Sequence, residues 1–231
     1  MMKQPYLISL EPARSGDDVL VLMGGGNEEG IGVMGDRPWR SLLRELGWQG
    51  AIYQLGWDES LNISLTMVAQ LDAGEAIALW NRCRNQFKRI GKSFLPKLLW
   101  EIAAQRVSLW SFGLGTQVAY YGMREWSEAK IHLQDVVMLA GTVRRDTGKN
   151  WGRAATNLQG QLFNFYNTED LMLHRLGDVL DWQQSPCGIK PIREISPQIV
   201  NIDATAQMQT AVYAPDNCRQ ALGVLRQKWG A

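Results

Sequence analysis

Ser111, Phe112, Gly113, Leu114 and Gly115 stand between the mostly apolar run Ser108–Trp110 and a helix-like stretch, "TQVAYYGMREW". A five-residue strand-to-helix turn of this kind, written Gly-x-Ser-x-Gly, carries the nucleophile of many acyl-transfer enzymes. That chemistry needs a nucleophile at the centre of the turn, a His general base, and an acid that fixes the tautomer of the His. Here the centre is Gly113, which has no side chain. Either the register of the motif is misread, or the turn is kept without its nucleophile. The elbow residue is held in a strained backbone conformation, which glycine reaches without a Cβ penalty. A turn that no longer needs its serine is therefore relieved by glycine, and the second reading is preferred. Ser111 lies two residues before the centre, in the strand or just leaving it, so its hydroxyl is not expected at the apex.

The remaining reactive residues are few. The chain has only two histidines, His132 and His174, so none follows His174. Its three cysteines, Cys83, Cys187 and Cys218, are odd in number and form no Cys-x-x-Cys pair, which favours free thiols over a disulfide framework or zinc site. Cys187 lies in a Pro-Gly loop that could approach the turn, but nothing near it in sequence supplies a base. The loop "GGGNEEG", from Gly24 through Gly25 and Gly26 to Gly30, reads either as a bare turn or as a nest of backbone N–H groups for a carbonyl or anion. It is not a Walker loop, because no Gly-Lys-Ser/Thr follows. No cluster of His, Cys and carboxylates suggests a metal, and no cofactor is implied.

Strand-like and helix-like segments alternate around these residues. "DVLVLM" (Asp18–Met23), "AIYQLGW", "RVSLW", "DVVMLAG" (Asp135–Gly141), "QLFNFY" and "QIVNID" read as strands. Asp36 is a candidate N-cap, with Pro38 early in the helix it starts. From Leu61 to about Gln105 the pattern is helical, with breaks expected near Gly74, Gly91 and Pro96, and Ser93 expected to cap the last helix. Strands separated by such helices predict an α/β fold with a mainly parallel sheet and helices on both faces. The loops Gly24–Gly26, Ser111–Gly115, Gly141–Thr142 and Asn167–Asp170 would then gather at the rim formed by the C-terminal ends of the strands. Residues 1–231 read as one domain, with Gln183–Pro197 as an irregular surface excursion.

Several of these segments, in this order, resemble an uncharacterised α/β-hydrolase-like family. It is known only as a domain of unknown function and includes the eukaryotic transmembrane and coiled-coil domain proteins. The resemblance rests on Ser111–Gly115, Ala140–Thr142, Trp151 and Asn164–Asp170. Upstream it rests on "DRPWRSLLRELGWQGAIYQLGWDESL", with its Trp57–Asp58 pair. It runs from about Asp18 to Leu180, with a weaker match at "VNIDATAQMQTAVY". The resemblance implies that the acid of a triad maps to Asp170, the nucleophile to Gly113 and the base to a position near Thr210. Two of the three are therefore missing. His174, one turn after Asp170, is either a solvated surface residue or a displaced base paired with it, the first being preferred.

Composition narrows the rest. A chain of 231 residues, 45% hydrophobic and 20% charged, can bury one large core. Its net charge of +1 argues against nucleic-acid binding. No uncharged stretch approaches the roughly 18 residues of a membrane span. With no secretory leader read at the N-terminus, the expected compartment is the cytoplasm. Ten tryptophans are many for this length and read either as core or as a partner face. Trp39, Trp48, Trp57, Trp126, Trp151 and Trp182 are the candidates for that face. Trp110, Phe112, Leu114 and Met138 are expected at the floor of the pocket, where they could collapse into it.

The expected function is that of a degenerate hydrolase-like protein acting through a protein partner, through self-association, or through a small hydrophobic, acyl-like ligand. The binding residues would be Gly24, Gly25, Gly26, Ser111, Phe112, Leu114, Thr142, Asp170 and His174. The alternatives are an active esterase or lipase with a rearranged site, and a structural subunit of a larger assembly.

Overall fold

The computed structural model describes residues 4–24, 37–61, 65–68, 70–180, 185–208 and 213–230. Seven strands form one sheet among these residues: β1 (Tyr6–Glu11), β2 (Asp18–Met23), β3 (Ala51–Gly56), β4 (Arg106–Phe112), β5 (His132–Leu139), β6 (Leu162–Tyr166) and β7 (Ile199–Asp203). Their order is β1-β3-β2-β4-β5-β6-β7. Every neighbouring pair is parallel except β1, which runs antiparallel along β3. The middle strands β2, β4 and β5 are near-continuous apolar runs and are buried almost throughout, as strands covered on both faces must be. This is the expected α/β-hydrolase-like arrangement.

β1 was not foreseen. "YLISLE" is a short edge strand that packs Leu7 and Leu10 on the core and exposes Tyr6 and Ile8, so it lacks the solid apolar run of a central strand. The helices between strands are α1 (Arg37–Glu45), α2 (Leu65–Val68), α3 (Ala73–Arg89), α4 (Leu95–Glu101), α5 (Gly115–Arg124), α6 (Trp151–Ala155) and α7 (Leu171–Val179); α8 (Pro215–Leu222) and α9 (Arg226–Trp229) follow β7. They pack in two groups, α1 with α8, and α5 with α3 and α6, as helices on opposite faces of a sheet do.

The break expected near Gly91 is not a break. α3 is capped at its start by Asp72, whose side chain accepts the Glu75 N–H at 3.0 Å, and it runs into a π-helical turn, Ile90–Phe94, that leads directly into α4. Ser93 therefore lies inside the turn and caps nothing; the N-cap of α4 is Phe94, with no side-chain hydrogen bond. The physical cause is Gly91. A Cβ there would run into the Val118 carbonyl of α5, so the bulge brings bare backbone against α5. The Asp36 cap lies outside the described residues.

The tryptophan face is also corrected. Trp39, Trp48, Trp57 and Trp151 are buried, and Trp126 is partly buried. Trp182 lies outside the described residues. The indole N–H of Trp126 donates to the Ile131 carbonyl and that of Trp151 to the Arg144 carbonyl, both at 3.0 Å. Trp39 packs edge-on against Trp110. Most of the described rings bury a large apolar surface in the core, whereas Trp100 is exposed and the buried Trp110 N–H has no hydrogen-bond partner among the described residues. Among the described residues no helix is long and apolar enough to cross a membrane.

Candidate functional site

β4 ends in buried Ser111 and Phe112, and the chain turns at Gly113, whose φ is +52°. The Gly113 N–H donates to the Leu139 carbonyl at the end of β5, 3.1 Å away. α5 starts two residues later, and a Cβ on Gly115 would run into the Met23 carbonyl at the end of β2. Both glycines are thus dictated by backbone geometry: one by a left-handed turn, the other by close approach. Beneath the apex, Thr116 and Thr142 donate their hydroxyls to the Gly113 carbonyl at 2.6 and 3.1 Å. The Thr142 N–H donates to the Thr116 hydroxyl at 3.0 Å, and the Gln117 amide donates to the Thr142 carbonyl at 3.0 Å. The elbow is firmly braced, and Gly113 at its apex has no side chain to attack a carbonyl.

Neither nearby substitute is available. Ser111 is fully buried and donates its hydroxyl across the sheet to the Val137 carbonyl at 2.9 Å. Cys187 is buried against Gly141, and burial pushes its thiol up to about 12, far from the thiolate that nucleophilic attack requires.

Asp170 follows β6 and caps α7, its Oδ1 accepting the Leu173 N–H at 2.9 Å. Its Oδ2 accepts the hydroxyl of Tyr213 at 2.5 Å. Burial raises the carboxyl above its ordinary value, while the Tyr213 hydroxyl and the N–H groups of α7 oppose the shift. The Tyr213 ring packs edge-on against Phe112, with centroids 5.0 Å apart, and Phe112 directly precedes Gly113. Tyr213 therefore bridges Asp170 and the elbow. A phenol, like an imidazole N–H, can donate a hydrogen bond to a carboxylate. With an ordinary pKa near 10, however, it offers no base at neutral pH.

Tyr213 was missed in the sequence, although it stands three residues after Thr210 in the weak C-terminal match. An aromatic residue with a polar tip close to the expected base was the available signal. Thr210, Gly25 and Gly26 lie outside the described residues; Gly24 follows β2 and is partly buried. His174 is exposed, as the preferred reading expected, and reaches Asp170 only through a minor charge interaction. Its Nε2 lies 2.9 Å from the Thr168 carbonyl.

Buried amides hold the rest of the rim. Asn164 donates to the Cys187 carbonyl and to Asn201 Oδ1, each at 3.0 Å, and Asn167 donates to the Met208 carbonyl at 2.8 Å. These bonds correct the reading of 183–197 as a surface excursion: Cys187, Ile189 and Ile192 belong to the core, although the segment is irregular. Beside Asp170 an open hollow of about 750 Å³ is lined by Glu169, Asp203, Thr205, Ala206 and Gln207. Its described wall is about equally polar and apolar and carries two carboxylates, Glu169 and Asp203. Among the described residues no group of His, Cys and carboxylates could hold a metal ion.

A family model described as "Protein of unknown function (DUF726)" matches residues 38–219. No curated protein matches the chain. Among solved structures, the chain is similar to an esterase from Pyrococcus furiosus, at 11% identity and a TM-score of 0.45, over 99% of this chain and 93% of that one. It is also similar to a poly(3-hydroxybutyrate) depolymerase from Bordetella parapertussis, at 12% identity and 0.48, over 96% and 82%. A third likeness is to an alpha/beta hydrolase enzyme from the metagenome of lagoon sediments at Mar Chica, Morocco, at 13% identity and 0.47, over the whole of both chains.

Proposed function

Since the chain belongs to the DUF726 family, which carries no assigned function, we propose from its own residues that it is a non-hydrolytic α/β-hydrolase-like protein that acts by binding. One observation carries this reading: the acid Asp170 is engaged by Tyr213, which packs on Phe112 beside an elbow whose apex is Gly113. Nucleophile and base are both replaced, and the space between elbow and acid holds a side chain. With Trp39, Trp48, Trp57 and Trp151 buried, a protein partner or a second copy would use other exposed apolar groups. Leu171 at the start of α7 is 78% exposed, and Met67 is exposed on α2, which packs against α7. A cytoplasmic location belongs to the same reading.

Turnover of short p-nitrophenyl esters tests the reading. The expected result is hydrolysis at the uncatalysed rate. Saturable turnover that survives repurification and is abolished by Ser111→Ala would replace this reading with that of an active esterase using a rearranged site.

A further inference from the structure

Lys149 ends a short 3-10 turn, Thr147–Lys149, capped by Asp146. Its carbonyl accepts the Tyr120 hydroxyl at 2.5 Å, which fixes the turn against α5. Its ammonium lies 5.7 Å from the centroid of the Tyr120 ring and 5.8 Å from that of Tyr121, and Lys88 of α3 reaches the Tyr121 ring at 5.4 Å. Trp151 packs on Tyr120 with centroids 4.6 Å apart, so the aromatic floor is rigid. Guanidinium groups from three elements act on Lys149 by charge repulsion: Arg84 on α3, Arg124 at the end of α5, and Arg144 in the loop after β5. The carboxylate acting on Lys149 is Asp146, which already pairs with Arg144 at 3.2 Å and caps the turn through Gly148. Glu125 is taken by Lys92 and Arg124, each at 3.5 Å, and Glu194 by the Gly152 N–H.

We propose that this basic, tyrosine-floored surface around Lys149 binds a phosphate-bearing anion. Two lysines held over one tyrosine floor, with Arg144 paired to the Asp146 that caps the same turn, suit a tetrahedral dianion, which presents several oxygens to several donors at once. A single carboxylate would neutralise only part of the excess charge. The state of Lys149 agrees: burial first, then the neighbouring arginines, hold its ammonium down to about 8, so its positive charge is under-compensated in the free protein. An arriving dianion reverses the repulsive part of that shift. The elbow plays no part in this inference, which stands or falls separately from the proposed function.

The test is calorimetric titration of the whole chain with inorganic pyrophosphate at fixed ionic strength and pH 7, alongside Lys149→Met, Arg84→Gln and, as a control, the exposed Lys97→Gln. Saturable binding is expected, weakened about tenfold or more by Lys149→Met and by Arg84→Gln, and unchanged by Lys97→Gln. Arg84 is on a different element from Lys149, so it decides the matter if Lys149→Met proves unstable in a thermal melt. Parallel sedimentation with phosphatidylcholine vesicles, with and without phosphatidylinositol bisphosphate, separates a soluble ester from a lipid headgroup. Lys149-dependent binding in either arm supports the site. No binding of pyrophosphate or vesicles, or binding untouched by Arg84→Gln, overturns it.

Discussion

Gly113 and Tyr213 carry the residue-scale account. Gly113 occupies a left-handed conformation that a serine would enter only with strain. Gly113→Ser should therefore lower unfolding free energy by about 1–3 kcal/mol in urea titrations and leave the protein without ester turnover, because among the described residues no base faces the apex. A gain of activity would mean that a base does reach it. Asp170 supplies a pH signature. Its folded carboxyl titrates above the ordinary 3.8, with burial as the main cause. A group whose pKa is raised by folding adds stability that is fully present below the unfolded value and is lost as pH rises through the folded one. Wild-type stability should thus carry a component that falls as pH climbs from about 3.8 upward, and Asp170→Asn should remove that component from urea midpoints measured across the acid range. Tyr213→Phe deletes the hydroxyl but keeps the ring on Phe112. Leaving the buried carboxylate short of a donor should cost about 1–3 kcal/mol and move the Asp170 titration further upward.

At the scale of elements, the Gly91 turn offers a sharp check. A Cβ at Gly91 would meet the Val118 backbone, so Gly91→Ala must push α5 away from the π-helical turn at a cost of about 1–3 kcal/mol in a chemical melt. A neutral substitution would mean that α3 and α4 are not held against α5 in this way. The same region shows what the sequence could and could not tell. The strands β2, β4 and β5 were legible because an apolar run in a parallel sheet is buried on both faces. The elbow was legible because its two glycines answer local backbone demands. Gly91 and Pro96 looked like helix breakers, yet the helical course continues because Gly91 answers to α5, which lies far along the chain. β1 escaped notice because an edge strand needs only one apolar face. The Asp170–Tyr213 bond joins positions 43 residues apart, and no local pattern announces such a pair.

The whole molecule has an α/β-hydrolase-like frame in which Gly113 stands at the apex of the elbow and Asp170 is bonded to Tyr213. If binding is its work, association through the Leu171 and Met67 surface should appear in light scattering as a mass above the 26.0 kDa of one chain, or as a complex with a native partner. Leu171→Asp should abolish it without changing the melting temperature, since that side chain is exposed. The central claim, that this frame no longer performs covalent acyl transfer, is tested most directly by incubating the wild-type chain with a fluorophosphonate probe and measuring its intact mass. The account predicts an unmodified chain; a stoichiometric adduct that maps to Ser111 would contradict it.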